Sequence, residues 1–195
     1  MQALSWIAVA VAGAALAYVL RRPKQVGLRP HDRVFVFGDS ICAGIAGPLG
    51  VLADRELIQI ASDSVVGSTI SDWATKPSFR AKIDSAVSSN PTIVLIVLGT
   101  NDSAMSAAAL DADLPKSSDL VRACSAGGAK VWWVLPPGLP QFPNRARVVA
   151  AVSGGGVRTI VTDGLSCARA PDHVHFTPVG YQCLSEHIWA MLKIG

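Results

Sequence analysis

Histidine and cysteine are scarce, four of each in 195 residues. The cysteines, Cys42, Cys124, Cys167 and Cys183, form no C-x-x-C pair and no zinc-ligand spacing, which speaks against a structural zinc site. They are expected as buried free thiols, with a Cys167 to Cys183 bridge as the lesser alternative. No internal repeat is evident, which excludes a solenoid or propeller. Charge is sparse too, 16% of residues with a net +3. Much of the basic excess falls in one place: Arg21, Arg22, Lys24, Arg29 and Arg33. With no basic aromatic surface and no recognisable module, nucleic acid is excluded as a partner.

What is present begins with ALSWIAVAVAGAALAYVL, residues 3–20, a run without a charged side chain. About 18 apolar residues at 1.5 Å rise nearly cross a hydrocarbon core of about 30 Å. A single-pass membrane anchor over 1–20 is the expectation. Ala15-Leu16-Ala17 offers a signal-peptidase-like site, but no basic segment precedes the run, so an uncleaved anchor fits better. The basic residues after it would meet anionic lipid headgroups, and the charge rule places the following domain in the cytoplasm. Residues 21–32, with Pro23, Gly27 and Pro30, read as a basic linker. The remaining 33–195 suffice for one packed domain.

From Arg33 onward short apolar runs alternate with helical patterns, as in a parallel sheet covered on both faces. The expected strands are 34–37, 57–61, 92–98, 130–135 and 157–162, and the expected helices lie near 41–54, 78–89, 106–126 and 143–152. A last helix should start at Thr177, a hydroxyl N-cap followed by Pro178 at the first helical position. The polar and glycine-rich stretches all follow strands: GDS at 38–40, SDSVVGS at 62–68, GTND at 99–102, PPGLPQFP at 136–143 and DGLSCARAPDHVH at 163–175. In a parallel sheet these loops share one edge, where ligands of open α/β sheets bind.

Ser40 falls in a sharp strand-to-helix turn, with Gly38 to permit unusual backbone angles and a helix N-terminus aimed at the site. A serine hydroxyl needs a base, and the base an orienting acid. His175 and Asp172, three apart in PDHVH, can supply both, with Asp172 on Nδ1 and Nε2 facing Ser40. His173 should point elsewhere, and Asp163 is the lesser candidate acid. For the oxyanion of an attacked carbonyl, the candidate donors are the Ser40 and Gly67 backbone N–H groups and the Asn101 amide. The rival reading makes Asp172, His173 and His175 an open metal site.

FGDSICAG, VVGS, LGTND and DHVHFTPVGY resemble, in order, the four sequence blocks of the SGNH hydrolases, which include the GDSL-type esterases and lipases. The likeness runs over residues 33–193. It implies a three-layer α/β/α sandwich of flavodoxin-like type with a five-stranded parallel sheet. It further implies Ser40 as nucleophile, His175 as base, Asp172 as its partner, and Gly67 and Asn101 as oxyanion donors, with no cofactor. GDSI stands where the family motif has leucine, and the run before Gly67 departs from the second block. No G-x-S-x-G elbow is present.

The expected activity is hydrolysis of carboxylic esters bearing short acyl or acetyl groups, on a glycan. The alternatives are a long-chain acyl lipase or thioesterase, and a membrane-tethered binding module that keeps the fold without turnover. Trp132 and Trp133, upstream of PPGLPQFP, either wall the substrate pocket or face opposite sides of a buried strand.

Overall fold

The central strands alternate between two directions, and both directions are apolar. In the computed structural model, which describes residues 27–195, five parallel strands form one sheet. They are β1 (Arg33–Gly38), β2 (Gln59–Ser64), β3 (Ile93–Val97), β4 (Lys130–Val134) and β5 (Arg158–Ile160), in the order β2-β1-β3-β4-β5. Val34, Val36, Leu95, Trp132 and Val134 face one layer, closed by helices α1 (Ser40–Arg55) and α8 (Pro178–Ile194) through Ile45, Leu49, Leu184 and Ile188. Phe35, Phe37, Val94, Ile96 and Trp133 face the other. There α2 (Ile70–Thr75), α3 (Pro77–Ser88), α6 (Lys116–Ser125) and α7 (Arg145–Gly154) bring Trp73, Ile83, Leu120 and Val148. Each fully buried side chain of this size stabilises the fold by about 1.5–3 kcal/mol relative to exposure. The five-stranded α/β sandwich is the expected architecture.

Trp132 and Trp133 thus face opposite sides of a buried strand. Trp133 donates from Nε1 to the Leu98 carbonyl at 2.9 Å, and Arg158 lies 5.2 Å from the Trp132 ring centroid. Both rings are buried in the layers that flank the sheet.

Several boundaries differ from expectation for physical reasons. β2 starts two residues late and runs into Ser62, Asp63 and Ser64, because an edge strand has one exposed side and carries no continuous apolar signal. Leu57, at φ 58°, makes the turn that precedes it. The single helix expected over 106–126 is two, α5 (Ala107–Asp113) and α6, since Pro115 between them has no N–H to continue the ladder. Two short helices were not expected: α2, closed by a capping box between Thr69 and Asp72, and α4 (Thr100–Ala104). β5 is only three residues long, short of the six expected. The last helix begins as expected, with Thr177 Oγ1 accepting the Gly180 N–H at 3.1 Å and Pro178 following.

Cys167 and Cys183 form a disulfide with Cα atoms 5.6 Å apart, contrary to the expectation of free thiols at all four positions. It ties the loop after β5 to the second turn of α8. Cys42 and Cys124 are free and buried, and burial pushes both thiols up. No helix among the described residues is long and apolar enough to cross a membrane, and the anchor expected over 1–20 lies outside them.

Candidate active site

Strand register brings the loops to one edge. Gly38 pairs with Ser64 of β2 on one side and with Val97 of β3 on the other, so the turns after β1, β2 and β3 emerge side by side. Gly38 is glycine for lack of space and not for its backbone angles: a Cβ there would lie 1.9 Å from the Val97 carbonyl oxygen. Asp39 then caps α1 in an extended conformation, its Oδ1 accepting the Ile41 N–H at 2.9 Å. Ser40 is left at the first helical position. Its backbone N–H has no partner among the described residues.

His175 Nε2 lies 2.9 Å from Ser40 Oγ, and His175 Nδ1 lies 2.6 Å from Asp172 Oδ2. An ionised carboxylate can only accept, so Nδ1 carries the ring proton and Nε2 is left with a lone pair toward the serine. Asp172 Oδ1 accepts the N–H groups of Val174 and His175, both at 2.9 Å. The side-chain bond from His175, followed by those two backbone bonds, holds the Asp172 carboxyl down at about 2. Exposure to solvent adds to these bonds in keeping it ionised. Arg169, which no pattern in the sequence marks, braces this loop. Its guanidinium donates to the Val174 carbonyl at 2.6 Å and stacks 3.9 Å from the Phe176 ring centroid.

The loops after β2 and β3 meet beside the turn that carries Ser40, where the Gly38 carbonyl accepts the Val65 N–H at 3.0 Å and the Ser68 hydroxyl at 3.4 Å. Asn101 Nδ2 donates to the Ser68 carbonyl at 2.9 Å, leaving its second amide proton unspent. Gly67 adopts φ +77°, with open space where a Cβ would stand and a backbone N–H unpartnered among the described residues. Asp102, passed over in GTND, is fully buried and accepts the Ile70 N–H at 3.1 Å, joining α4 to α2. Burial raises its carboxyl to about 6. Asp39 is also fully buried, with Oδ2 unpartnered among the described residues, and burial pushes it to about 7 against the opposing bond from Ile41.

The other candidates separate cleanly. Asp163 is held by Arg145, at 2.6 and 2.7 Å, and accepts the Gly138 N–H, so it does not orient His175. His173 is exposed, beside but outside the Ser40–His175–Asp172 array. No group of three or more His, Cys, Asp or Glu among the described residues is gathered as metal ligands. A hollow of about 770 Å³ at the opposite sheet edge, lined by Asp32, Asn90, Thr92 and Gly128 among others, has neither serine nor histidine in its wall.

This five-stranded sandwich has the fold of the SGNH hydrolases. Three solved structures show the likeness. An acetyl xylan esterase, AlAXEase, is 17% identical with a TM-score of 0.65, over 82% of this chain and 99% of that one. A Slackia heliotrinireducens protein classed provisionally as an SGNH hydrolase is 15% identical with a TM-score of 0.62, over 85% and 100%. A carbohydrate esterase family 3 structure from Talaromyces cellulolyticus is 18% identical with a TM-score of 0.62, over 83% and 96%. No family model and no curated protein matches the sequence.

Proposed function

We propose that the chain is a serine esterase that removes short acyl groups, acetyl above all, from a glycan. The observation that carries this reading is the hydrogen-bonded chain Ser40–His175–Asp172, at 2.9 and 2.6 Å, at the carboxyl edge of the sheet. His175 Nε2 takes the Ser40 proton as Oγ attacks the acyl carbonyl, and Asp172 stabilises the imidazolium without itself taking the proton. Negative charge gathers on the former carbonyl oxygen. The Ser40 and Gly67 N–H groups and the free proton of the Asn101 amide are the donors for it. The tetrahedral intermediate then collapses, the C–O bond to the alcohol breaks, and His175 returns the proton to the leaving oxygen. Water, deprotonated by the same nitrogen, releases the acid and restores Ser40.

A short acyl group is supported by the acetyl xylan esterase among the structural neighbours. The glycan is supported by the acetyl xylan esterase and the family 3 carbohydrate esterase among the structural neighbours. Ser40→Ala should abolish p-nitrophenyl acetate hydrolysis with the circular dichroism unchanged, and His175→Ala should do nearly the same. Full turnover by Ser40→Ala would defeat the reading, as would a preference for long acyl chains. Absence of serine-dependent turnover in the native chain would favour the binding module.

Residues 1–20 serve in this proposal as the membrane anchor. The Cys167–Cys183 disulfide supports an oxidising compartment for the domain, against the cytoplasmic side that the charge rule favours. Protease added to intact spheroplasts should then digest the domain; protection until lysis would return it to the cytoplasm.

A further inference from the structure

His173 has a backbone made for glycine. At φ 59° it occupies the left-handed region, which costs a side chain of this kind about 1 kcal/mol or more. Nothing in the local hydrogen bonding requires an imidazole. The His173 backbone N–H donates to the Ala170 carbonyl at 2.9 Å, a bond glycine would make equally well, and the ring has no partner among the described residues. The side chain is exposed, one residue from Asp172 and two from His175.

The ring borders a groove of about 630 Å³ formed by Leu139, Pro140, Gln141, Arg169, Asp172, His173 and Val174. A second hollow of about 380 Å³ shares Leu139 and Arg169 with it. The groove borders Asp172, whose Oδ2 holds His175 Nδ1 at 2.6 Å, and so lies on the side of the histidine loop. That side is the one the alcohol must occupy, because the leaving oxygen receives its proton from His175 Nε2, whereas the carbonyl oxygen lies toward the donors on the β2 and β3 loops. Leu139, Pro140 and Val174 offer an apolar floor. Gln141, like His173, has a side chain without a partner among the described residues. The cations nearby are engaged, Arg169 with the Val174 carbonyl and Phe176, Arg145 with Asp163. An apolar floor with neutral, bidirectional hydrogen-bonding groups at its edge suits a sugar ring, whose C–H face packs while its hydroxyls donate and accept. With the Asp172 carboxylate in its wall, it does not suit an anionic alcohol.

We propose that this groove is the subsite for the alcohol part of the substrate, a neutral acylated sugar, and that His173 and Gln141 bind its hydroxyls. The inference rests on the esterase reading above, and the two are separable by experiment. Kinetics of the full chain on p-nitrophenyl acetate and on acetylated xylo-oligosaccharide would be compared for the native protein, His173→Gly and Gln141→Ala. His173→Gly relieves the strained backbone, so its Tm should equal or exceed the native value. On p-nitrophenyl acetate both variants should stay within about twofold of native kcat/KM. On the oligosaccharide each should lose about tenfold, mainly through KM, the size of one or two lost hydrogen bonds to an uncharged ligand. Equal losses on both esters would make His173 part of the general machinery, and unchanged kinetics on both would leave the groove without a role; either result overturns the subsite while the esterase stands. So would a native preference for aryl or alkyl acetates over the acetylated sugar. Failure of the native chain on both esters overturns the esterase reading and the subsite with it.

Discussion

Asp39 and Asn101 each do two things, and the two can be pulled apart by substitution. Asp39 caps the helix that presents Ser40, yet its carboxyl is raised by burial to about 7, well above its unfolded value near 3.9. A raised folded value means that the proton is held more tightly in the folded chain. Its contribution to stability is full below about pH 4 and is lost as pH rises through about 7. Asp102, raised to about 6, acts in the same sense. Urea midpoints should therefore decline from pH 4 to 7, and Asp39→Asn, which keeps an oxygen for the Ile41 N–H, should make that decline shallower. An unaltered slope would mean that Asp39 is ionised throughout. Asn101→Ala removes both the proposed oxyanion donor and the tie to the Ser68 carbonyl. A fall of about 10² to 10³ in kcat is expected if the donor role dominates; a large drop in Tm with kcat nearly intact would show that the tie to Ser68 is what matters.

Elements differed in how plainly the sequence announced them, and packing explains which. Helix α8 was legible because Thr177 and Pro178 carry their signal in two adjacent residues, independent of anything distant. The buried strands β1, β3 and β4 were legible because both of their faces are apolar. β2 was not, since its exposed face admits SDS, and neither α2 nor α4 was, because five- and six-residue helices have too few turns to show a period. At the candidate site, the bonded array of Ser40, His175 and Asp172 was anticipated from the order of the loops along the sheet and from the resemblance to the SGNH blocks. Arg169 and Asp102 were not, because their partners, Val174 and Ile70, are fixed only once the chain has folded. The disulfide was illegible for the same reason: two cysteines 16 apart say nothing of α8 turning back against the loop. Closing a loop of that length contributes about 3 kcal/mol by restricting the unfolded chain. Cys167→Ser/Cys183→Ser should lower stability by about that amount and reduce ester hydrolysis more than Tm alone accounts for, since the bridge closes the segment that carries Asp172 and His175. Full activity at temperatures well below Tm would show that the segment holds its shape unaided.

Across the whole molecule, the two halves of the site hang from very different supports. Ser40 and Asn101 follow β1 and β3, the inner strands of the sheet, each paired on both sides. Asp172 and His175 follow β5, an edge strand whose three residues pair only with β4. Beyond it the chain runs to α8 with one isolated bridge, Arg169 to Phe176, as its only ladder contact among the described residues. Free energies of local opening follow such differences in pairing and burial. Heated slowly, the chain should lose the proposed ester hydrolysis several degrees before its helices melt, and addition of a reductant should widen that gap; coincident loss of hydrolysis and of far-ultraviolet ellipticity would show one cooperative unit instead. Cooling after inactivation but before melting should restore hydrolysis in full, because only the loop of Asp172 and His175 would have left while Ser40 stayed in place. A three-residue strand at the rim thus makes turnover a thermometer for a single loop, reversible over a window in which the rest of the chain has not yet registered the heat.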